Sequence, residues 1–190
     1  GELDAAHQRE RAEAEEKNRA LQLLSAIARS SSDAIFAKDG EGRYLLLNDA
    51  ASRYMGKSVE SMRGMTDASA FLPHQAAEIR ANDLRVLASG RVQTSEERLV
   101  TALGERVFLV TKGPLYDASG QVQGTFGISR DITERRKTEL ALHDSEERLR
   151  LALMAAKQGM YDLNLQTGGV MGSPEYASML GHDPATFVET

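Results

Sequence analysis

The sequence predicts an α+β fold: a five-stranded antiparallel sheet with helices on one face, flanked by a long helix at each end. Three observations carry this. Two short runs of strand composition, AIFAK and RYLLLN, precede a stretch of helical spacing, and three more strand-like runs follow near residues 94–100, 106–111 and 122–129. Glycine-bearing turns separate consecutive strands at Asp39-Gly-Glu-Gly42, Leu103-Gly-Glu and Asp117-Ala-Ser-Gly120, so neighbours fold back as antiparallel pairs. Two stretches without Gly or Pro bracket the set, at residues 2–29 and 133–157.

Each element has a local cause. Residues 2–29 are rich in Ala, Glu, Arg and Leu, strong helix formers. The first half of that helix carries almost no large apolar residue. The second half sets Leu21, Leu24, Ile27 and Ala28 at spacings of three and four, a face that either dimerises or tucks back onto its own domain. Ser30 to Asp33 break the helix before the first hairpin. Asn48 is placed to cap a short helix, DAASRYMG, that Gly56 closes. After Pro73 a longer helix runs to Ala88, with Ala76, Ile79, Leu84 and Leu87 expected on its buried side, and Gly90 stops it. In the last strand Gly124 and Gly127 leave room for a neighbouring backbone to approach. The strand runs directly into Asp131-Ile132-Thr133, where Asp131 or Thr133 can accept from the free N–H groups of the next turn and Glu134 favours the positive end of the helix dipole.

Composition narrows the function. An apolar fraction of 41% and a charged fraction of 27% suit a globular domain, and a net charge of −5 offers nothing to attract nucleic acid or an anionic membrane. The absence of cysteine excludes disulfides, thiolate metal sites, cysteine nucleophiles and flavin–cysteine photochemistry. No apolar run is long enough for a membrane span. A phosphate loop, a G-x-S-x-G elbow and the G-G-D-E-F and E-A-L signatures are all missing, so no catalytic residue is expected, and no histidine–carboxylate spacing suggests a metal site.

The pieces IFAKDGEGRYLLLND, LPHQAAEIRANDLRVLASG and VTKGPLYDASGQVQGTFGISRDITERR, in that order, resemble the PAS domain, a sensory module whose last strand closes with D-I-T and passes into a signalling helix. The resemblance covers about residues 24–136. It implies a PAS fold with this organisation: an N-terminal dimerisation and signalling helix (1–29), the PAS domain (30–132), a linker signalling helix (133–158) and the truncated start of a second PAS domain (159–190). That last stretch is similar to the opening of the first, with Ser178-Met-Leu-Gly181 falling on Arg53-Tyr-Met-Gly56 at a shift of about 125 residues. In the linker helix Leu142, Leu149 and Ala156 recur at seven while Glu139 and Glu146 interrupt the seam.

The resemblance also implies a ligand site between the sheet and the long helix. Phe36, Leu47, Tyr54, Leu84, Phe108, Val110, Phe126 and Ile128 are the candidate lining, with Phe126 and Ile128 expected to point inward; a packed core with no cavity is the alternative. Lys38 and Lys112 are read as solvated strand ends, with a place at a pocket mouth as the other reading. Haem is not expected, because His74 directly follows Pro73, whereas the family's ligand lies near residues 79–83, where no histidine occurs. Flavin is not expected either, since Ile128 falls where flavin-binding sensors carry a glutamine. His143 lacks the remainder of a kinase phospho-acceptor motif. The expected ligand is small and largely apolar, with an acidic group as a further option. The implied function is a non-enzymatic sensory and dimerisation module of a bacterial signalling protein, either a two-component histidine kinase or a diguanylate cyclase or phosphodiesterase. It would form a homodimer through its terminal helices and relay binding through Asp131, Ile132 and Thr133 to a downstream output domain. A structural spacer that binds nothing is the rival. The expected location is cytoplasmic, with no nucleic acid and no direct membrane contact by this fragment.

Overall fold

The computed structural model describes residues 2–156 and 159–184, which form two compact units divided after Thr133. Lys157, at the expected end of the second long helix, and residues 185–190 lie outside the described residues.

In the first unit α1 (Glu2–Ser30) leads into the hairpin of β1 (Ala34–Asp39) and β2 (Tyr44–Leu47). Then come α2 (Asp49–Met55), α3 (Val59–Met62), a 3-10 turn at Asp67–Ser69 and α4 (Pro73–Ser89), and β3 (Gln93–Thr101), β4 (Gly104–Tyr116) and β5 (Val122–Asp131) complete the sheet. The strand order is β2-β1-β5-β4-β3, every pair antiparallel. The last strand of this unit therefore occupies the middle of the sheet. The expected α+β architecture, a five-stranded antiparallel sheet with helices on one face, is present.

Asn48 does more than the expected capping. Its Oδ1 accepts from Ala51 N (3.0 Å) and Ile35 N (2.9 Å), and its Nδ2 donates to the carbonyls of Ala28 (2.8 Å) and Asp33 (2.9 Å). One buried amide thus ties the end of α1, the start of β1 and the first turn of α2 together. Gly56 closes α2 at φ +63°, a left-handed position that glycine takes without strain. The stripe of α1 remains exposed at Leu21, Leu24 and Ile27.

The core lies between the sheet and the helices. Phe36, Tyr44, Leu47, Met55 and Met62 form one cluster; Ile79, Leu99, Phe108 and Val110 form a second; and Tyr54 and Phe71 bridge them. On α4 the buried residues are Gln75, Ala76, Ile79, Asp83 and Val86. Leu84, expected inside, is 48% exposed: Ile79, Asp83 and Val86 follow each other at four and three, and Leu84 sits one position, about 100°, beyond that stripe.

In the second unit α5 (Thr133–Ala155) is followed by the two-stranded sheet of β6 (Tyr161–Leu163) and β7 (Val170–Gly172) and by α6 (Pro174–Met179). Ser173 caps α6 by accepting from Tyr176 N, and Gly181 lies at φ +79°. Strand, strand, cap, helix and left-handed glycine thus repeat the opening of the first unit at an offset of about 125 residues, Asn48 to Ser173 and Gly56 to Gly181. Among the described residues of 159–184 only Ala177 is buried. No helix among the described residues is long and apolar enough to cross a membrane.

Candidate ligand cavity and signal junction

Between the sheet and the helical layer, chiefly α2 with Ile79 of α4, lies a cavity of about 40 Å³. Phe36, Tyr54, Met55, Phe71, Leu99 and Phe108 form its apolar wall, and Lys38, Tyr44, Asp67, Glu97 and Lys112 its polar end. That volume suits a water molecule or two and is far below the roughly 300 Å³ at which small-molecule pockets begin.

The polar end is a buried ion network. Lys38 Nζ donates to both oxygens of Asp67 (2.8 and 2.6 Å) and to Asp83 Oδ2 (2.9 Å), which uses all three of its protons. Tyr44 donates to Asp67 Oδ1 at 2.6 Å. Lys112 Nζ pairs with Asp83 Oδ1 (3.0 Å) and Glu97 Oε1 (3.1 Å). The ammonium of Lys38 also lies 5.1 Å from the Phe36 ring centroid and 4.9 Å from that of Tyr44, close enough for cation–π attraction. Two ammoniums and three carboxylates out of water tolerate one another only because each faces opposite charge at contact distance. Asp83 supplies the link to α4, Asp67 the link to the 3-10 turn, and the lysines come from β1 and β4, so the network bolts the helical layer to the sheet.

The junction at the end of β5 is wired separately. Asp131 Oδ1 accepts from Thr133 N (2.9 Å) and Thr133 Oγ1 (2.5 Å), and Thr133 Oγ1 accepts from Val107 N on β4 (2.9 Å). Ile132 N donates to Val107 O at 2.8 Å. The other oxygen of Asp131 accepts from Tyr54 OH (3.3 Å) and pairs with Arg106 (3.4 Å). The Tyr54 ring stands edge-on to Phe108 with centroids 4.9 Å apart, and both line the cavity. A single side chain therefore touches both the cavity and the junction.

The model of the family described as "PAS fold" matches residues 28–137, more than half of the chain. The chain belongs to the PAS family. It is 35% identical over 142 residues to the methanogenesis regulatory histidine kinase FilI of Methanothrix harundinacea, an alignment covering 73% of this chain and 16% of that protein. It is 33% identical over 145 residues to the virulence sensor protein BvgS of Bordetella parapertussis, covering 74% of this chain and 12% of that one. The solved PAS domain of Bordetella pertussis BvgS superposes with a TM-score of 0.51 at 25% identity, over 69% of this chain and 98% of that domain. The chain therefore spans only a small fraction of the length of these sensor proteins.

Of the eight lining residues expected for this PAS domain, Phe36, Tyr54 and Phe108 border the cavity, while Leu47 and Val110 are buried in the adjoining core. Leu84 is exposed on α4. Phe126 and Ile128 lie on the outer face of the sheet, Phe126 over Gly113 beside Val92 and Ile128 40% exposed. The inward residues of β5 are Thr125, Gly127 and Ser129, paired with Lys38, Phe36 and Ala34 of β1. Side chains alternate with a period of two, so the expected register was out by one residue and both apolar side chains changed face. The comparison of Ile128 with the flavin glutamine loses its footing, since Ile128 does not face the cavity. Lys38 and Lys112 are not solvated strand ends: they are 0% and 3% exposed. A signal for this was present, because Lys38 follows Phe36, and Lys112 follows Phe108 and Val110, at strand period two, and Asp83 falls within the apolar stripe of α4. His74 is exposed at the start of α4.

Two buried groups set the alkaline limit of the domain. Burial and the carboxylate of Asp67 raise the Tyr44 pKa well above its ordinary 10.0. Burial pulls Lys112 down, but Asp83 and Glu97 outweigh it and leave its pKa raised above 10.5. Each folded-state value stands above the unfolded one, so their contribution is fully present below about pH 10 and is lost as pH climbs through the folded values. The melting temperature is expected to hold from about pH 8 to 10 and to fall steadily above that. Tyr44→Phe should flatten part of the alkaline fall while losing about 1.5–3 kcal/mol at neutral pH through the missing bond to Asp67. Thermal unfolding followed by circular dichroism across that range checks both.

Proposed function

We propose that this chain is a non-catalytic sensory input module of a larger histidine-kinase-type signalling protein, in which the state of the cavity is relayed through Asp131, Ile132 and Thr133 to α5. The observation that carries the reading is Tyr54, which borders the cavity through its ring and binds Asp131 through its hydroxyl. Any occupant that tilts this ring against Phe108 alters the acceptor holding the first residue of α5. Thr133 also holds β4 through Val107, so the start of the helix and the sheet move together. The similarity to FilI, a regulatory histidine kinase, supports a kinase over a diguanylate cyclase as the downstream output. Leu21, Leu24 and Ile27 of α1 and Leu142 and Leu149 of α5 are exposed, in keeping with a homodimer through both helices in which a small rotation of α5 changes how the next domains face each other. Residues 159–190 would then open a second PAS domain, whose repeated cap and glycine support that reading.

Asp131→Ala in the full-length parent tests the relay. Response to the input is expected to drop at least about tenfold, while the melting temperature of the isolated chain falls by about 2–4 °C for a partly exposed polar network worth about 1 kcal/mol. A full response from a folded Asp131→Ala protein rejects the relay. The spacer reading draws on the small cavity and its internally paired charges; it requires that no small molecule shifts the melting temperature.

A further inference from the structure

The ion network meets the surface at two grooves, one beside Asp67 and Arg80 and one beside Glu97, and only the second adjoins a residue that pairs with Lys112. Glu97 Oε1, besides holding Lys112, accepts from Asn82 Nδ2 on α4 at 2.8 Å, and Asn82 Oδ1 accepts in turn from Arg85. Asn82, Arg85, Glu97 and Arg98 line an open groove of about 390 Å³ between α4 and the edge strand β3. Glu97 and its neighbours Ile79 and Leu99 border the groove on one side and the cavity on the other. These three residues form a wall common to the two spaces, and Asn82 holds Glu97 in it.

The charges of the network are uneven. Lys38 is saturated by Asp67 and Asp83, whereas Lys112 has two ion pairs, neither aligned as a hydrogen bond, and a third proton to spare. Without Glu97 the cluster would hold two ammoniums and two carboxylates and be neutral; with it the cluster carries one excess negative charge. Arg85 and Arg98 in the groove offer Glu97 an alternative cationic surrounding.

We propose that Lys112 is the anchor for the carboxylate of a small aliphatic acid, that Glu97 fills this place in the present state, and that the ligand enters by displacing Glu97 into the groove between α4 and β3. This rests on the sensory reading above and names its ligand class. One carboxylate replaces another, so the exchange leaves the buried charge unchanged. The vacated side chain adds its volume to the cavity, and the apolar wall of Phe36, Met55, Phe71 and Phe108 receives the acid's alkyl end. Binding breaks the Asn82 to Glu97 contact, freeing α4 from β3 on the side of the sheet where Tyr54 meets Phe108.

The test is a titration of the 190-residue chain with sodium propionate, which has the carbon skeleton of a glutamate side chain, followed by amide NMR with propionamide and sodium chloride as controls. Saturable shifts are expected around Asp83, Leu99 and Lys112 with propionate alone. Glu97→Ala should bind at least about tenfold more tightly than the native chain, a difference of about 1.4 kcal/mol. Adding Lys112→Met to Glu97→Ala should abolish binding. Should Glu97→Ala fail to fold, Glu97→Gln keeps the volume and the Asn82 contact, and it too should bind more tightly than the native chain. Equal shifts with propionamide or chloride, no gain in either Glu97 variant, or retained binding without Lys112 would each overturn the proposal. Propionate binding that leaves full-length signalling unchanged removes the relay but keeps the site. An intact relay with no saturable binding removes the site alone.

Discussion

Lys38→Met is expected to lower the stability of the PAS domain by about 3–5 kcal/mol, the usual cost of removing one partner from a buried ion pair. Lys38 is fully buried and is the ammonium that holds Asp67 through both oxygens and one oxygen of Asp83. Methionine fills much the same space, so the loss is electrostatic rather than a cavity: three carboxylates would face the single ammonium of Lys112. Tyr44 still donates to Asp67, which keeps that residue from being wholly orphaned. The measurement is urea unfolding of the single variants Lys38→Met and Asp67→Asn and of the double variant. The double is expected to be more stable than Lys38→Met alone, because the partner's uncompensated charge goes with it. A Lys38→Met protein as stable as the native chain would mean that the network contributes no anchoring of α4 and the 3-10 turn.

Gly124→Ala is expected to be comparably severe, about 4 kcal/mol or loss of folding altogether. A Cβ at this position would stand 1.9 Å from the carbonyl oxygen of Lys38 and 2.9 Å from its carbonyl carbon. Both are backbone atoms of β1, paired with β5 in the middle of the sheet, so neither strand can yield without breaking its ladder. Gly127→Ala meets the Phe36 ring at 2.2 Å, a side chain that can turn at the expense of the cavity, and should cost less. Gly40→Ala, whose nearest neighbour lies 3.9 Å away, serves as the control and should stay within about 0.5 kcal/mol of the native chain. Circular dichroism melts of the three variants check the order. Equal stability of Gly124→Ala and Gly40→Ala would contradict the observed register of β1 on β5.

The contrast between these two sites shows where sequence reasoning held. That Gly124 makes room for a neighbouring backbone could be read from a glycine inside a strand, because only close approach or a bend explains it there. The hairpin turn at Gly42, the cap at Asn48, the stop at Gly56 and the passage from Asp131 into a helix are likewise consequences of single residues acting on their nearest neighbours. The junction itself was legible in kind but not in wiring. The Thr133 hydroxyl joins Asp131 to Val107, a strand residue 26 positions earlier in the chain.

Locally encoded features are therefore what the amino-acid order determined unaided: the number and type of elements, their turns and caps, and the family. The tertiary structure alone decided which face each strand turns inward and what fills the interior. Phe126 and Ile128 look inward by hydrophobicity, but β5 is the central strand, and the Phe36 ring leaning over it from β1 leaves space only for a glycine at position 127, which sets Thr125 and Ser129 on the same inner face. Lys38, Asp67, Asp83, Glu97 and Lys112 look solvated one by one, because a lone charge belongs in water. They are buried because five separate segments bring opposite charges within about 3 Å of one another, a pairing that exists only once the chain has folded.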